Sequence, residues 1–140
     1  MANTSLNTQP IYTASADTQG VGTATVANTT KDLSSGTAYL AFTVSETGGY
    51  VQRMRFRPQG ANAATVARVF INNGGVTGTS ANNILWDEIS LPATTNSEVS
   101  ALPTYELPLN FALPPTYRLF VTLGTVVVGG YSITVIGGKY

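Results

Sequence analysis

Strand-like alternation is the feature that most restricts what this chain can become. Residues 65–71 read Thr, Val, Ala, Arg, Val, Phe, Ile, and residues 117–123 read Tyr, Arg, Leu, Phe, Val, Thr, Leu. Both runs are rich in β-branched and aromatic residues at close to period two, the pattern of a strand with two distinct faces. Segments of this kind recur at 10–14, 21–27, 37–44, 50–57, 65–72, 84–91, 102–111, 117–123 and 131–136. Ser34-Ser35-Gly36, Thr47-Gly48-Gly49, Asn72-Asn73-Gly74-Gly75, Pro114-Pro115 and Gly129-Gly130 punctuate them as turns. Eight or nine short strands at this spacing predict an all-β fold, a single antiparallel jelly-roll-like β-sandwich. The best helical candidate, residues 61–69, is β-branched and alternating, so almost no helix is expected.

The residues that usually perform chemistry are scarce. The chain of 140 residues and 14.6 kDa has no His and no Cys, and 10% of its residues are charged. Imidazole proton shuttles, thiolate nucleophiles and soft metal ligands are therefore absent. Asp87 and Glu88 are the only adjacent acids, and strand neighbours point to opposite faces, which is wrong for a glycosidase pair. No G-x-S-x-G elbow occurs, and a Ser-Lys pair would have to use Lys31 or Lys139, in a turn-like and a terminal context. No calcium-loop spacing is present, although a lone calcium on carbonyls and one carboxylate stays open. A non-enzyme without a cofactor is the expectation, with function in binding or assembly.

Seven basic and seven acidic residues cancel, so no overall field draws the chain to nucleic acid or to an anionic membrane. No apolar run reaches eighteen residues, and residues 1–10 have neither a cationic start nor an apolar core, so neither a membrane helix nor a secretory leader is expected. Synthesis in the cytoplasm follows as an expectation, and the lack of cysteine is compatible with it. One domain of this length buries roughly 70% of the surface that its unfolded chain exposes. The division predicted is an extended N-terminal arm, 1–10, carrying Leu6 as its large apolar group after Met1 and ending at Pro10, followed by a sandwich over 11–140.

The alternation also assigns faces. Phe42, Met54, Phe56, Val69, Ile71, Leu107, Leu109, Leu119, Val121, Ile133 and Val135 form the expected inward set. Pro103 and Pro108 cannot donate to a ladder, which places their strand at a sheet edge or a bulge. Arg53, Arg55 and Arg57 alternate with Met54 and Phe56, so three guanidinium groups project from one face at about 7 Å intervals. Three readings of this row stand: a solvated face paired with neighbouring carboxylates, a docking face for an acidic protein surface or a subunit, and a nucleic-acid contact. The third suffers from zero net charge and the lack of interleaved aromatics. Val126, Val127 and Val128 break the alternation where a hairpin tip is expected, a candidate subunit contact. Trp86, the only tryptophan, reads as core, as a subunit contact or as a sugar-stacking platform.

The order of these segments resembles the small jelly-roll decoration, or cement, proteins that sit as trimers on tailed-bacteriophage capsids. The likeness rests on Val51-Gln52-Arg53-Met54-Arg55-Phe56-Arg57, on Ala64-Thr65-Val66-Ala67-Arg68-Val69-Phe70-Ile71-Asn72-Asn73-Gly74, and on the hairpin from Leu107-Pro108-Leu109-Asn110 to Arg118-Leu119-Phe120-Val121-Thr122. It covers about two thirds of the chain, from Gly48 to Tyr140. The resemblance implies a homotrimer on the outer capsid surface of a virion, bound to the phage major capsid protein without a cofactor. It transfers no site residue by residue. The candidate contacts, Leu6, Pro10, Arg53, Arg55, Arg57, Val126, Val127 and Val128, come from the residue reading alone. A competing expectation is a head-fibre or tail-associated module that binds a glycan receptor, for which exposed aromatics are the discriminating feature.

Overall fold

The computed structural model describes residues 13–140. Eight strands make up the fold: β1 (Ser15–Ala24), β2 (Tyr39–Thr43), β3 (Gly49–Pro58), β4 (Thr65–Asn72), β5 (Asn83–Leu91), β6 (Tyr105–Leu113), β7 (Arg118–Leu123) and β8 (Tyr131–Lys139). A single 3-10 turn at Ser80–Asn82 is the helical structure among the described residues. All pairings between these strands are antiparallel, in two four-stranded sheets ordered β1-β8-β3-β6 and β2-β7-β4-β5. Partners run first with last, β1 with β8, β2 with β7, β3 with β6 and β4 with β5. A long hairpin rolled up on itself gives this order, which is the winding of a jelly roll.

The interior follows the alternation. Every residue of the expected inward set is buried, with Phe42, Met54, Phe56, Val69, Leu119, Val121 and Val135 fully so. The sides are closed by different means. At the β1/β2 side the Gln19 amide donates to Thr43 O at 2.9 Å and accepts from Thr43 N at 2.9 Å, so one side chain imitates a ladder partner. At the β5/β6 side the Trp86 and Phe111 rings meet with centroids 4.8 Å apart, tilted by 47°. One end is tied by Asn62, whose amide donates to Gly130 O at 3.1 Å and accepts from Gly130 N at 3.0 Å, while Thr94 Oγ1 donates to Gly60 O at 2.8 Å.

Part of the outer face of the β2-β7-β4-β5 sheet is covered as well. Phe70 and Phe120 are cross-strand partners flanked by inward residues, so they point outward, yet both are buried. Leu33, from the connection between β1 and β2, lies over them with Ala38 and Leu85 at its margin. The connection is shaped by Asn28, whose amide donates to Ser35 O at 2.9 Å and Thr37 O at 3.1 Å and accepts from Thr30 N at 3.0 Å. Asn83 Nδ2 ties it to β5 through Asp32 O at 2.8 Å.

Three boundaries differ from expectation. The segments 10–14 and 21–27 are replaced by the single strand β1, and residues 10–12 lie outside the described residues. Gly20, within β1, serves close approach: a Cβ there would stand 2.1 Å from Ile133 O of the neighbouring strand. Pro103 falls in the lead-in to β6, while Pro108 lies within β6 at the sheet edge. β6 also carries one residue more than β3 between Val51 and Arg53, and Asn110 takes it up at φ 55°.

Candidate functional site

The arginine row lies where the alternation puts it. β3 buries Val51, Met54 and Phe56 and turns Arg53, Arg55 and Arg57 to the outer face of the β1-β8-β3-β6 sheet. Arg53 Nε stands 3.6 Å from Glu106 Oε2 on β6, an ion pair with both side chains about half open to water. Arg57 Nη1 donates to Leu102 O at 2.5 Å and to Thr104 Oγ1 at 2.9 Å, fastening the lead-in of β6. Arg55 is exposed and stands across from Glu106 in the β3/β6 register, and among the described residues no hydrogen bond or ion pair engages it. The three arginines thus divide into one paired with a carboxylate, one spent on chain geometry and one open.

The ground around the row is flat. Its neighbours on β8 are the half-buried Ile136 beside Arg53, Thr134 beside Arg55 and Ser132 beside Arg57, and beyond them lie Thr18 and Gly20 of β1. Among the described residues Glu106 is the acid beside the row, set against three arginines, so this face is cationic although the chain is neutral. A hollow of about 260 Å³ lined by Thr13, Tyr50, Gln52, Gly137 and Gly138 opens where the described chain begins. Leu6 and Pro10, the candidate contacts of the arm, lie outside the described residues.

The valine run divides by direction. Val126 is 60% and Val128 89% exposed, while Val127 is fully buried in the chain's own core. The Val127 N–H donates to Thr25 O at 3.1 Å, which turns its side chain inward between two outward neighbours. Val127 is therefore corrected from a surface candidate to a core residue. Val126, Val128 and the 44% exposed Val26 remain at this end. Arg57 pairs with Ser132 near the start of β8, so the cationic row runs toward the valine loop.

The aromatic residues are mostly engaged. Tyr39 Oη accepts from Thr25 N at 3.0 Å and Val26 N at 2.9 Å, and Tyr105 and Tyr117 pack against the core. Tyr50 is half-buried. Trp86 is 46% exposed on the β5/β6 rim, so it is neither core nor a free platform. Arg68, outward on β4, received no attention from the sequence beyond its place in a strand; its Nε donates to Glu88 Oε1 at 2.8 Å. Among the described residues no three His, Cys, Asp or Glu side chains come together as metal ligands, and no helix is long and apolar enough to cross a membrane. No family model, no curated protein and no solved structure matches the chain.

Proposed function

We propose that this chain is a structural virion protein, a trimeric decoration protein that reinforces a phage capsid by bridging major capsid subunits. The observation that carries the reading is the cationic face of the β1-β8-β3-β6 sheet, on which Arg55 is exposed and unengaged among the described residues. A flat strand-borne guanidinium is preorganised for carboxylates on a repeating acidic surface and asks for no catalysis. Val126 and Val128 beside the same end supply apolar surface for contact between copies. Three linked copies would raise effective concentration enough for modest contacts to hold.

The test is to add the purified protein to capsids lacking it, and to measure occupancy and heat resistance. Charge reversal at Arg55 and Arg57 should abolish binding, and deletion of residues 1–10 should weaken it. Native mass should correspond to three copies. A monomer that binds no capsid would sink the reading. The second reading, a glycan-binding module, is favoured by the half-open Trp86 alone. Retention on a glycan surface that Trp86→Ala abolishes would establish it instead.

A further inference from the structure

The outer face of the β2-β7-β4-β5 sheet holds a second feature, beside the cover over Phe120. A hollow of about 510 Å³ lies between the loop that follows β4 and the outward residues of β2 and β7. Leu40 and Phe120 face each other in the β2/β7 register, and Arg118 lies two positions before Phe120, so all three share this face. Phe120 is closed off beneath Leu33, whereas Leu40 is 45% exposed and forms the open apolar wall. Residues 74–77 complete the lining.

The Arg118 guanidinium is held in place from several sides. Asn72 Oδ1 accepts from its Nε at 3.2 Å and from its Nη2 at 2.9 Å, Gly75 O accepts from Nη2 at 2.6 Å, and the guanidinium carbon stands 5.2 Å from the centre of the Phe120 ring. Asn72 Oδ1 also accepts from Gly74 N at 2.8 Å, so one oxygen fixes both the loop and the arginine. Nη1 is left over: it has no partner among the described residues, and it is not sealed from water as Nη1 of Arg68 is. None of the acceptors is a carboxylate. The ion pairs among the described residues are Arg53 with Glu106 and Arg68 with Glu88, and Asp32, on the connection that covers Phe120, gives its carboxylate to Ser34 N at 3.0 Å. Arg118 therefore keeps a whole positive charge on a half-buried, preorganised fork with one nitrogen open. That charge favours an anion over a neutral acceptor, and Leu40 beside it favours an anion that carries an alkyl chain.

We propose that this hollow is a binding site for an aliphatic carboxylate. A carboxylate oxygen accepts from Arg118 Nη1, and the alkyl chain lies along Leu40. The site is on the sheet opposite the arginine row and does not depend on the capsid reading.

Isocaproate and isocaproamide have the same shape and differ in charge, and acetate keeps the charge without the chain, so these three are the probes. Titrated into the labelled full-length protein at low ionic strength, isocaproate should give saturable shifts at the Val76 and Thr77 amides and the Arg118 Nε–H, with a Kd of order 10 mM. Isocaproamide and acetate should each bind at least about five-fold more weakly. Arg118→Gln should remove the preference for the acid over the amide. Leu40→Ser, at an exposed position, should bring isocaproate down to the affinity of acetate and leave acetate unchanged. The proposal is overturned by the lack of saturable shifts with isocaproate up to about 200 mM, or by equal binding of isocaproate and isocaproamide. A preference for the acid that survives in a folded Arg118→Gln protein would overturn it equally, as would an unchanged ratio of isocaproate to acetate in Leu40→Ser. If Arg118→Gln fails to fold, the order of the three probes on the wild type and its collapse in Leu40→Ser still decide.

Discussion

The two outer faces of this sandwich follow opposite rules. On the β2-β7-β4-β5 sheet, Phe70 and Phe120 point away from the main core and are buried again beneath Leu33. The equivalent outward positions of the β1-β8-β3-β6 sheet carry arginines, small polar residues and glycines beside Ile136 and Pro108, and Arg55, Gly20 and Gly22 are exposed. Among the described residues the same pleat therefore yields one sheet covered on its inner side and, around Phe70 and Phe120, on its outer side too, and one covered on its inner side. The first behaves as scaffold, and the second is left available for contact.

The largest effect should come from the valine loop, where an exposed run and a buried residue lie side by side. Val127→Asp places a charge in the core and should cost about 4 kcal/mol or more, while Val126→Asp and Val128→Asp should leave the fold of the separated protomer within about 0.5 kcal/mol and weaken only the contact between copies. Urea unfolding of the three variants gives the answer directly. Equal losses would mean that the loop does not divide as described.

Next comes the covered face. Phe120→Ala removes a side chain that is 7% exposed and should cost about 3–5 kcal/mol, comparable with truncation of an inward aromatic. Amide exchange should also accelerate across residues 28–38, because the segment loses what it rests on. A loss below about 1 kcal/mol would reduce Leu33 and its neighbours to a surface contact rather than a second core.

A smaller effect separates buried from open polar groups. The Tyr131 hydroxyl is buried, and its pKa is raised by that burial and secondarily by Tyr105; the Asn62 amide pulls the other way, yet no hydrogen bond closes on the hydroxyl. Its folded-state pKa lies above the unfolded value, so the neutral hydroxyl contributes fully below the ordinary tyrosine range. That contribution is lost as pH rises through the folded-state value. Wild type should therefore lose stability above about pH 10, and Tyr131→Phe should flatten the loss while changing neutral-pH stability by less than about 1 kcal/mol. A slope identical in both proteins would assign the alkaline loss elsewhere.

The smallest effect on stability belongs to the bare face. Arg55→Ala should leave the unfolding midpoint within about 0.5 kcal/mol of wild type. Its consequence should appear only in capsid binding. A marked destabilisation would mean that Arg55 supports the fold, and the contrast between the faces would fail.

The sequence by itself determined the inward rows, because a residue at period two on a half-buried strand has one side to occupy, and Met54, Phe56, Leu107 and Leu119 are all on it. The Arg53, Arg55, Arg57 row was legible for the same reason, since the residues between them had to be buried. Leu119-Phe120-Val121 also carried a signal for two-sided burial in its unbroken apolar run, although nothing local names the residue that would cover Phe120. Leu33 does so from a distant connection, and it does so at a φ of 58° held by its surroundings. Only the tertiary structure could decide such matters. Which of three consecutive valines turns inward depends on the bond from Val127 N to Thr25 O, and the pairing of Arg68 depends on where Glu88 of the next strand stands. Periodicity is local and is written residue by residue, whereas cover, pairing and vacancy arise between strands far apart in the chain, where loop closure and register set the neighbours.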